Sequence, residues 1–446
     1  MIQELWAPAG TLHLAAAPIT KHIAELILQI AVILLAAKIS GEICDRYLRV
    51  PSVLGELGAG LLIGPFALGG IQIGGFGPLF DVAHLNSTNI LEAIPSEIYF
   101  LAQLASVVLL FGAGLETDLK QFMRYAGPAT VIALGGVVFP FVFGVVATVS
   151  LGYAPDFTSP VALFIGALMT ATSVGITARV LADLHQLSSP EGVTIIGAAV
   201  IDDILGILIL TIVIGVSGTE EPSLGKLGLI AGKALGFWVL LTGILLLLSK
   251  KIFRVIDWFR IPGAPIVLAL SLALIGAGLA EMAGLAMIIG AYSVGLALSE
   301  TNLARTIEES LEGVHSFVVP IFFAVMGMMV NLPSMTEALL FGSVLTVLAI
   351  ISKVFGCGLP AMATGFNSLG GLRIGLGMLP RGEVALIIAG VGLAANVIDG
   401  EMFGVAVMIT IVTTILAPIL LVPAFKIDKP GRKPPQVKGN PNEALS

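Results

Sequence analysis

Residues 194–215 read TIIGAAVIDDILGILILTIVIG, an apolar run whose only charged residues are Asp202 and Asp203. A run of this length is sufficient for a helix that crosses a bilayer. Each ionised carboxylate at the centre of such a helix costs about 2.5–3.5 kcal/mol even on the most lenient insertion scale. Two adjacent carboxylates are therefore expected to face water, a cation or a buried base rather than lipid.

The composition places this run in a polytopic membrane protein. Of the 446 residues, 57% are hydrophobic and only 11% are charged, whereas soluble domains carry about 25% charged residues. The two cysteines, Cys44 and Cys357, lie at or within apolar runs, and the five histidines are scattered. Neither set predicts a disulfide or a metal centre. We therefore expect an all-α membrane protein without a cofactor.

Apolar stretches of about 20 residues divide the chain into about thirteen predicted transmembrane helices. The eighth and ninth spans are divided near Ala283. The predicted spans are 22–42, 53–70, 97–115, 128–152, 160–182, 191–216, 228–249, 264–283, 284–299, 316–332, 337–363, 371–398 and 401–425.

Alternate loops collect most of the lysine and arginine residues, and this pattern predicts an orientation. These loops and their flanks hold Arg46, Arg49, Lys120, Arg124, Arg179, Lys250, Lys251, Arg254, Arg260, Arg305 and Arg373, and the tail adds Lys426, Lys429, Arg432, Lys433 and Lys438. By the positive-inside rule these loops are cytoplasmic. The N-terminus is then outside and the C-terminus inside, which requires an odd number of spans, and thirteen fits.

Two short segments indicate an internal repeat. GLETDL (residues 114–119) ends the third predicted span, and GMMVNL (residues 327–332) ends the tenth. Phe111 and Phe323 lie just upstream of the two segments. Because the spans are seven apart, the two copies have opposite topology, as in secondary transporters whose ion site lies at mid-membrane. Chance similarity between apolar segments is the alternative.

The two aspartates have different neighbours, because adjacent residues of a helix point about 100° apart. One aspartate can address an ion path while the other addresses a neighbouring helix, and their titrations are coupled. Lys353, inside the eleventh predicted span, is the natural counterpart, because a nearby carboxylate keeps a buried ammonium charged. Two plainer interpretations remain: a hydrogen-bonded structural aspartate pair, and a lysine that reaches the cytoplasmic interface.

Two of the predicted spans are interrupted near their middles. TATSVG (residues 170–175) interrupts the fifth span, and MLPRGEV (residues 378–384) interrupts the twelfth. Broken helices at mid-membrane expose carbonyl groups and half-helix dipoles that can hold or steer cations. The two breaks are again seven spans apart, which supports the inverted repeat.

Each break contributes polar side chains. Thr172 and Ser173 are candidates for positions near the ion, and packing hydroxyls between helices are the alternative. Arg381 and Glu383 are supporting charges at the second break. We favour a structural ion pair between these two residues over direct contact with the ion.

The remaining polar residues do not predict enzyme chemistry. Glu56, Glu116 and Glu281 lie near the ends of predicted spans and are interpreted as interfacial or structural. The chain contains no Walker A sequence, no dinucleotide fingerprint and no histidine-based metal motif. We therefore expect a transporter that contacts membrane lipid and has no nucleic-acid partner.

In combination, these segments resemble the monovalent cation:proton antiporter family, in its bacterial sodium/proton exchanger branch with the Asp-Asp motif. The pairing of VIDDILG (residues 200–206) with ATSVGITARVL (residues 171–181) is specific. The segments that carry the resemblance extend over most of the chain: Val53–Pro65, Leu109–Leu119, Ala171–Leu181, Gly197–Gly206, Lys353 and Gly377–Ile387.

The resemblance implies a single transporter unit, residues 1–426, with an inverted-repeat fold and two crossed discontinuous helices. Its ion-binding core would comprise roughly residues 97–216 and 316–398. A domain that dimerises with its copy would comprise roughly 22–70, 228–299 and 401–425. Residues 427–446, rich in proline and lysine, are expected to form a disordered cytoplasmic tail.

The resemblance also implies residue roles. Asp203 would carry the cation, Na⁺, and the proton, and Asp202 would pair with Lys353. Thr172 and Ser173 would lie near the ion. Members with two acids and this lysine resemble the electrogenic type. Potassium-moving relatives under glutathione control usually lack the first aspartate and carry a nucleotide-binding domain, which favours sodium here.

The expected function is exchange of Na⁺, or Li⁺, for H⁺ by alternating access in a bacterial inner membrane, by a homodimer. Two alternatives keep the fold: a K⁺/H⁺ antiporter, and a sodium-coupled organic-anion symporter that uses the carboxylates only as sodium ligands. Lys353 beside the adjacent acids argues against the symporter. A channel would need a continuous selectivity pore, and the sequence shows no filter-like repeat.

Overall fold

The computed structural model describes residues 10–48, 51–72, 78–80, 94–217, 224–330, 339–394 and 397–433. These residues are almost entirely helical, and one isolated β-bridge joins Phe366 to Arg432. Nine helical stretches within the described part of the chain are long and apolar enough to cross a membrane. The predicted all-α polytopic membrane fold is confirmed, while the count of thirteen spans stays a prediction.

The described α-helices follow the predicted spans in order, with two spans divided in two. They are α1 (Gly10–Ile43), α2 (Ser52–Ile63), α3 (Ser96–Leu115), α4 (Leu119–Ser150), α5 (Pro160–Thr170), α6 (Val174–Asp183), α7 (Pro190–Ser217), α8 (Leu224–Trp258), α9 (Ala264–Met282), α10 (Met287–Ser299), α11 (Ala304–Met328), α12 (Leu339–Ala363), α13 (Ser368–Gly377), α14 (Glu383–Ala394) and α15 (Gly400–Lys426).

Several helices begin earlier than the apolar pattern predicts. Helix α4 begins at Leu119 rather than at residue 128, because the Asp118 carboxylate caps it by accepting from the N–H groups of Lys120 and Gln121 at 2.8 and 3.0 Å. Helix α11 begins at Ala304 rather than at residue 316. Hydropathy detects only the apolar part of a helix, so its polar first turns were missed.

The predicted division near Ala283 is present. Helix α9 ends at Met282, and Gly284 has a φ of 82°. This left-handed conformation is readily available to glycine and disfavoured for other residues. The chain therefore turns sharply at Gly284 and returns as α10, which packs along α9.

The two predicted interruptions are also present. Helix α5 ends at Thr170 and α6 begins at Val174, while α13 ends at Gly377 and α14 begins at Glu383. The two copies of the repeated segment lie at the C-terminal ends of α3 and α11, and these two helices pack against each other. The second copy is described only as far as Val330.

The helices pack in two sets. In the first set, α4 packs against α5, α7 and α12, and α15 packs against α12, α13 and α14. In the second set, α3 packs against α10 and α11, and α2 packs against α1 and α11. Reciprocal glycines bring α2 and α11 into backbone contact: a Cβ at Gly60 would overlap Ala324, and one at Gly327 would overlap Leu57.

Residues 427–433 form a strap after α15, within the segment that the sequence analysis assigned to the tail. The side-chain N–H of Asn367 donates to the carbonyl of Pro430 at 2.7 Å. The guanidinium of Arg432 donates to the hydroxyl of Tyr125 at 2.9 Å and covers its ring. The disordered tail stays a prediction, and contacts of this kind are not visible in composition.

Candidate functional site

The two helix breaks touch at a crossing. The backbone N–H of Ser173 donates to the carbonyl of Pro380 at 2.7 Å. The hydroxyl of Thr177 donates to the carbonyl of Gly377 at 2.6 Å. A Cβ at Gly382 would lie 2.7 Å from the Ser173 hydroxyl oxygen, so a larger residue there would displace the Ser173 side chain. The crossing thus supplies donors and acceptors that the interrupted helices leave unused.

Lys353 lies beside the crossing and is fully buried. Its Nζ lies 3.1 and 3.3 Å from the two carboxylate oxygens of Asp202. It also donates to the carbonyls of Gly136 and Thr170 at 2.8 and 2.7 Å. A buried ammonium in contact with a carboxylate and two carbonyls is satisfied as a charged group. The alternative of a lysine that reaches the interface does not hold in this structure.

Asp202 and Asp203 are both buried, with 3% and 8% of their surfaces exposed. Asp202 is in contact with Lys353, and both aspartates line a cavity of about 310 Å³. Helix α7 therefore presents two carboxylates to the same cavity. That of Asp202 is paired with Lys353, and that of Asp203 lies about 100° away around the helix. A pair in this setting can exchange a proton for a cation, because neighbouring carboxylates resist being ionised together.

The cavity lies between the two helix sets. From the first set it is lined by Asp202, Asp203 and Thr172. From the second set it is lined by Tyr99 and Gln103 of α3, by Glu281 of α9, and by the turn 284–288. The cavity is thus bounded by two groups of helices whose relative position would control access to it.

The two hydroxyl candidates occupy different places. Thr172 lines the cavity, and its hydroxyl lies beside the carboxylate of Asp202. Ser173 lies at the crossing, and neither hydroxyl has a partner within hydrogen-bond geometry among the described residues. Both side chains are buried. Thr172 is therefore the one of the two that is placed to contact an ion in the cavity.

Arg381 is fully buried in the second break. Its guanidinium donates to the carbonyl of Met169 near the C-terminal end of α5, and its own carbonyl accepts from the hydroxyl of Thr414. A positive charge at this helix end is favourable because the carbonyl dipoles point toward it. The side chain of Glu383 lies outside the described residues, so its pairing with Arg381 stays a prediction.

Three residues of the cavity were not identified as site residues from the sequence. Tyr99 and Gln103 are one turn apart on α3, and this polar pair in an apolar helix was the available signal. Glu281, interpreted above as interfacial or structural, lines the cavity with the aspartates. Among the described residues, no group of three or more His, Cys, Asp or Glu could hold a metal ion.

Comparison with known proteins places this arrangement in a family. The family model for the transmembrane sodium/hydrogen exchanger matches residues 30–427. The chain is 35% identical over 405 residues to the Na(+)/H(+)-K(+) antiporter GerN of Bacillus cereus, covering 89% of this chain and 95% of GerN. It is 35% identical over 430 residues to the high-affinity Na(+)/H(+) antiporter NhaS3 of Synechocystis, covering 91% and 90%.

The fold is similar to a solved antiporter structure. The sodium proton antiporter MjNhaP1 of Methanocaldococcus jannaschii superposes with a TM-score of 0.67 at 19% identity, covering 92% of this chain and 99% of that chain. The structural likeness shows the fold, and the sequence matches show the relationship. The chain therefore belongs to the sodium/hydrogen exchanger family, which comprises membrane cation/proton antiporters and not enzymes.

Proposed function

We propose that this protein exchanges Na⁺, and also Li⁺, for H⁺, and that the exchange is electrogenic. The observation that supports the proposal is the buried Asp202–Lys353 pair, with an Nζ–Oδ1 distance of 3.1 Å, beside Asp203 in the same cavity. A cation and a proton that compete for one acidic site cannot be carried together in the same direction, so their movements are coupled as exchange.

In this proposal Asp203 carries the cation and the proton. Na⁺ arriving at Asp203 displaces its proton and draws on the Asp202 carboxylate, which weakens the bond to Lys353. Electrogenic exchange needs a second proton for each Na⁺, and in this proposal Asp202 takes up that proton when the cation leaves. The Thr172 hydroxyl, which lines the same cavity, supplies a neutral ligand, and Ser173 and Arg381 hold the crossing. An empty, charged site would resist crossing the membrane because of its desolvation cost.

Alternating access follows from the two helix sets. We propose an elevator-type motion in which α4–α7 and α12–α15 move as the core past α1–α3 and α8–α11. This grouping differs from the sequence-based division, which placed residues 97–115 and 316–332 in the core and 401–425 in the dimerisation domain. Helix packing supports the change, since α15 packs on α12–α14 while α3 packs on α10 and α11.

The membrane setting is proposed on the same basis. We place the chain in a bacterial inner membrane as a homodimer, with the N-terminus outside and the C-terminus in the cytoplasm. In that orientation the turn 284–288 faces outward, and the cavity that it lines also reaches Asp203. The conformation described here is then the outward-open one. In this conformation protons from outside bind at the site before they are carried inward.

Potassium is the second candidate cargo. The observation that favours it is the relationship to GerN, a 35% identical Na(+)/H(+)-K(+) antiporter. The Asp-Asp pair favours sodium. Both cargoes use the same site and the same exchange with protons.

Proton flux into proteoliposomes, followed with a fluorescent pH indicator, tests the proposal. Each of Na⁺, Li⁺ and K⁺ is titrated with and without an imposed voltage. We expect opposite proton movement with Na⁺ and Li⁺, and a rate that depends on voltage. Uptake of Na⁺ without opposite proton movement would support a symporter instead, and voltage-independent exchange would contradict the electrogenic assignment.

A further inference from the structure

Helix α4 contains a proline four residues after the glycine whose carbonyl contacts Lys353. The helix runs from Leu119 to Ser150 and includes Pro140 in its interior. Proline has no N–H group, so residue 140 cannot donate to the carbonyl of residue 136, four residues earlier. That carbonyl, of Gly136, is the one that accepts from Lys353 Nζ at 2.8 Å. Proline is tolerated within a membrane helix where a neighbour satisfies the freed group, and here the neighbour is the lysine.

The second carbonyl around the ammonium has a similar origin. Thr170 ends α5, and the break that follows it removes the next turn of helix, whose N–H groups would bond its carbonyl. This carbonyl accepts from Lys353 Nζ at 2.7 Å. Two carbonyls without their helix donors thus converge on Nζ from a different direction than the Asp202 carboxylate. The Gly136 carbonyl lacks its helix donor because of a proline, and the Thr170 carbonyl lacks its donor because of a helix break.

Glycine at position 136 completes the arrangement. A Cβ there would collide with the thiol of Cys357 and would lie 3.6 Å from Lys353 Nζ. Gly136 therefore leaves space beside the Lys353 ammonium, and Pro140 leaves the Gly136 carbonyl without a helix donor. Pro128, about three turns earlier in the same helix, provides a matched position, because the carbonyl four residues before it, of Arg124, is not among the groups that accept from Lys353 Nζ.

We propose that Pro140 is a positioning residue of the exchange: by leaving the Gly136 carbonyl without a helix donor, it provides a place where the Lys353 ammonium stays bound when Asp202 turns to the cation. The inference rests on the proposed exchange at Asp202 and Asp203. Lys353 then remains in place through the cycle, held by the Gly136 and Thr170 carbonyls.

The carbonyl matters most in the cation-loaded state. In the state described here, the Lys353 ammonium contacts the Asp202 carboxylate and both carbonyls. Weakening one of these three acceptors therefore changes the stability of this state little. Once Asp202 is engaged by Na⁺, the carbonyls are what remains. A restored N–H at position 140 competes for the Gly136 oxygen in that state, and so selectively destabilises the loaded site.

The test compares Pro140→Ala with Pro128→Ala in proteoliposomes, with Na⁺-driven proton flux as the readout. We expect Pro140→Ala to raise the apparent KM for Na⁺ by roughly three- to ten-fold, with kcat changed less than about two-fold, because a hydrogen bond to a charged group is weakened and not abolished. Pro128→Ala should keep the wild-type KM. A general packing defect would lower kcat or yield rather than shift KM alone.

A backbone variant separates the missing donor from the proline ring. Lactic acid at position 140, introduced by nonsense suppression, has an ester oxygen in place of the N–H. We expect it to restore the wild-type KM although it lacks the ring. Pro140→Gly also carries the N–H and serves as the second variant if Pro140→Ala does not fold.

The outcomes are distinguishable from failure of the proposed function. If the wild type shows no cation-driven proton flux, the exchange assignment is wrong. If the wild type exchanges and both donor-restoring variants keep its KM, or if the lactic acid variant behaves like Pro140→Ala, the role of Pro140 is wrong while the exchange assignment stands.

Discussion

The N–H of Ser173 donates to the carbonyl of Pro380 at 2.7 Å, so the two interrupted helices are joined by a main-chain hydrogen bond at their crossing. This bond fixes the position of Thr172, one residue earlier, which lines the cavity with Asp202 and Asp203. The crossing therefore positions the candidate ion ligands, and disturbing it should affect the site even without a change in any ligand.

Gly382→Ala tests the crossing. Its Cβ would lie 2.7 Å from the Ser173 hydroxyl oxygen, and an overlap of this kind typically costs about 1–3 kcal/mol. We expect a lower melting temperature in detergent and exchange reduced at least several-fold. Gly390→Ala, in the helix α14 that follows the break, with nothing within 4 Å of the new Cβ, is the control. Equal behaviour of the two variants would show that the crossing tolerates separation.

Lys353→Ala tests the buried pair. Removing one partner leaves the Asp202 carboxylate buried without its cation, a loss of about 3–5 kcal/mol in comparable pairs. We expect Asp202→Asn in the same chain to recover much of the melting temperature lost by Lys353→Ala, since it removes the stranded charge. If the double variant is as unstable as the sum of the two single variants, the two residues are not energetically coupled.

Much of this site could be predicted from residue identities. The Asp-Asp run, the glycine and proline breaks, and a lysine inside an apolar span are visible as side chains in unusual surroundings. The Gly136 and Thr170 carbonyls could not be predicted in this way, because every residue has a carbonyl and only the tertiary fold selects two of them. The packing of α15 on α12–α14 was missed for a related reason, since uniformly apolar helices carry little information about their neighbours.

The strap at residues 427–433 should stabilise the ends of the helices that it contacts. Arg373, which is buried and paired with Glu191 at 2.7 Å, also donates to the carbonyl of Ile427 at 2.7 Å. Truncation after Lys426 removes that acceptor together with the other strap contacts. We expect a lower melting temperature, whereas truncation after Lys433, which keeps every described strap contact, should preserve it. Equal melting temperatures for the two truncations would contradict a stabilising strap.

Glu116, at the turn between α3 and α4, should add a pH dependence to stability. Burial, and then the nearby Glu308 and Asp183 carboxylates, raise its pKa to about 7. Because the pKa is raised on folding, the folded state is favoured while Glu116 is protonated, and this contribution is lost as the pH rises through about 7.

The melting temperature between pH 4.5 and 7.5 checks this assignment, since the folded and unfolded states differ in protonation of Glu116 between its usual pKa of 4.5 and its raised pKa of about 7. We expect the wild type to lose stability relative to Glu116→Gln as the pH rises across that window. Asp118→Asn is the control, since backbone N–H groups of Gln121 and Lys120 hold the pKa of Asp118 below its usual value and outside the window. A wild-type curve parallel to that of Glu116→Gln would show that Glu116 does not titrate there.

The most direct test of the account is Na⁺-dependent proton movement in vesicles that contain Asp203→Asn. The control is Asp156→Asn, the same substitution at an exposed aspartate in the turn between α4 and α5. We predict that Asp203→Asn shows no Na⁺-dependent proton movement at any pH, while Asp156→Asn exchanges like the wild type. Full Na⁺-dependent proton movement by Asp203→Asn would contradict the assignment of Asp203 as the shared carrier.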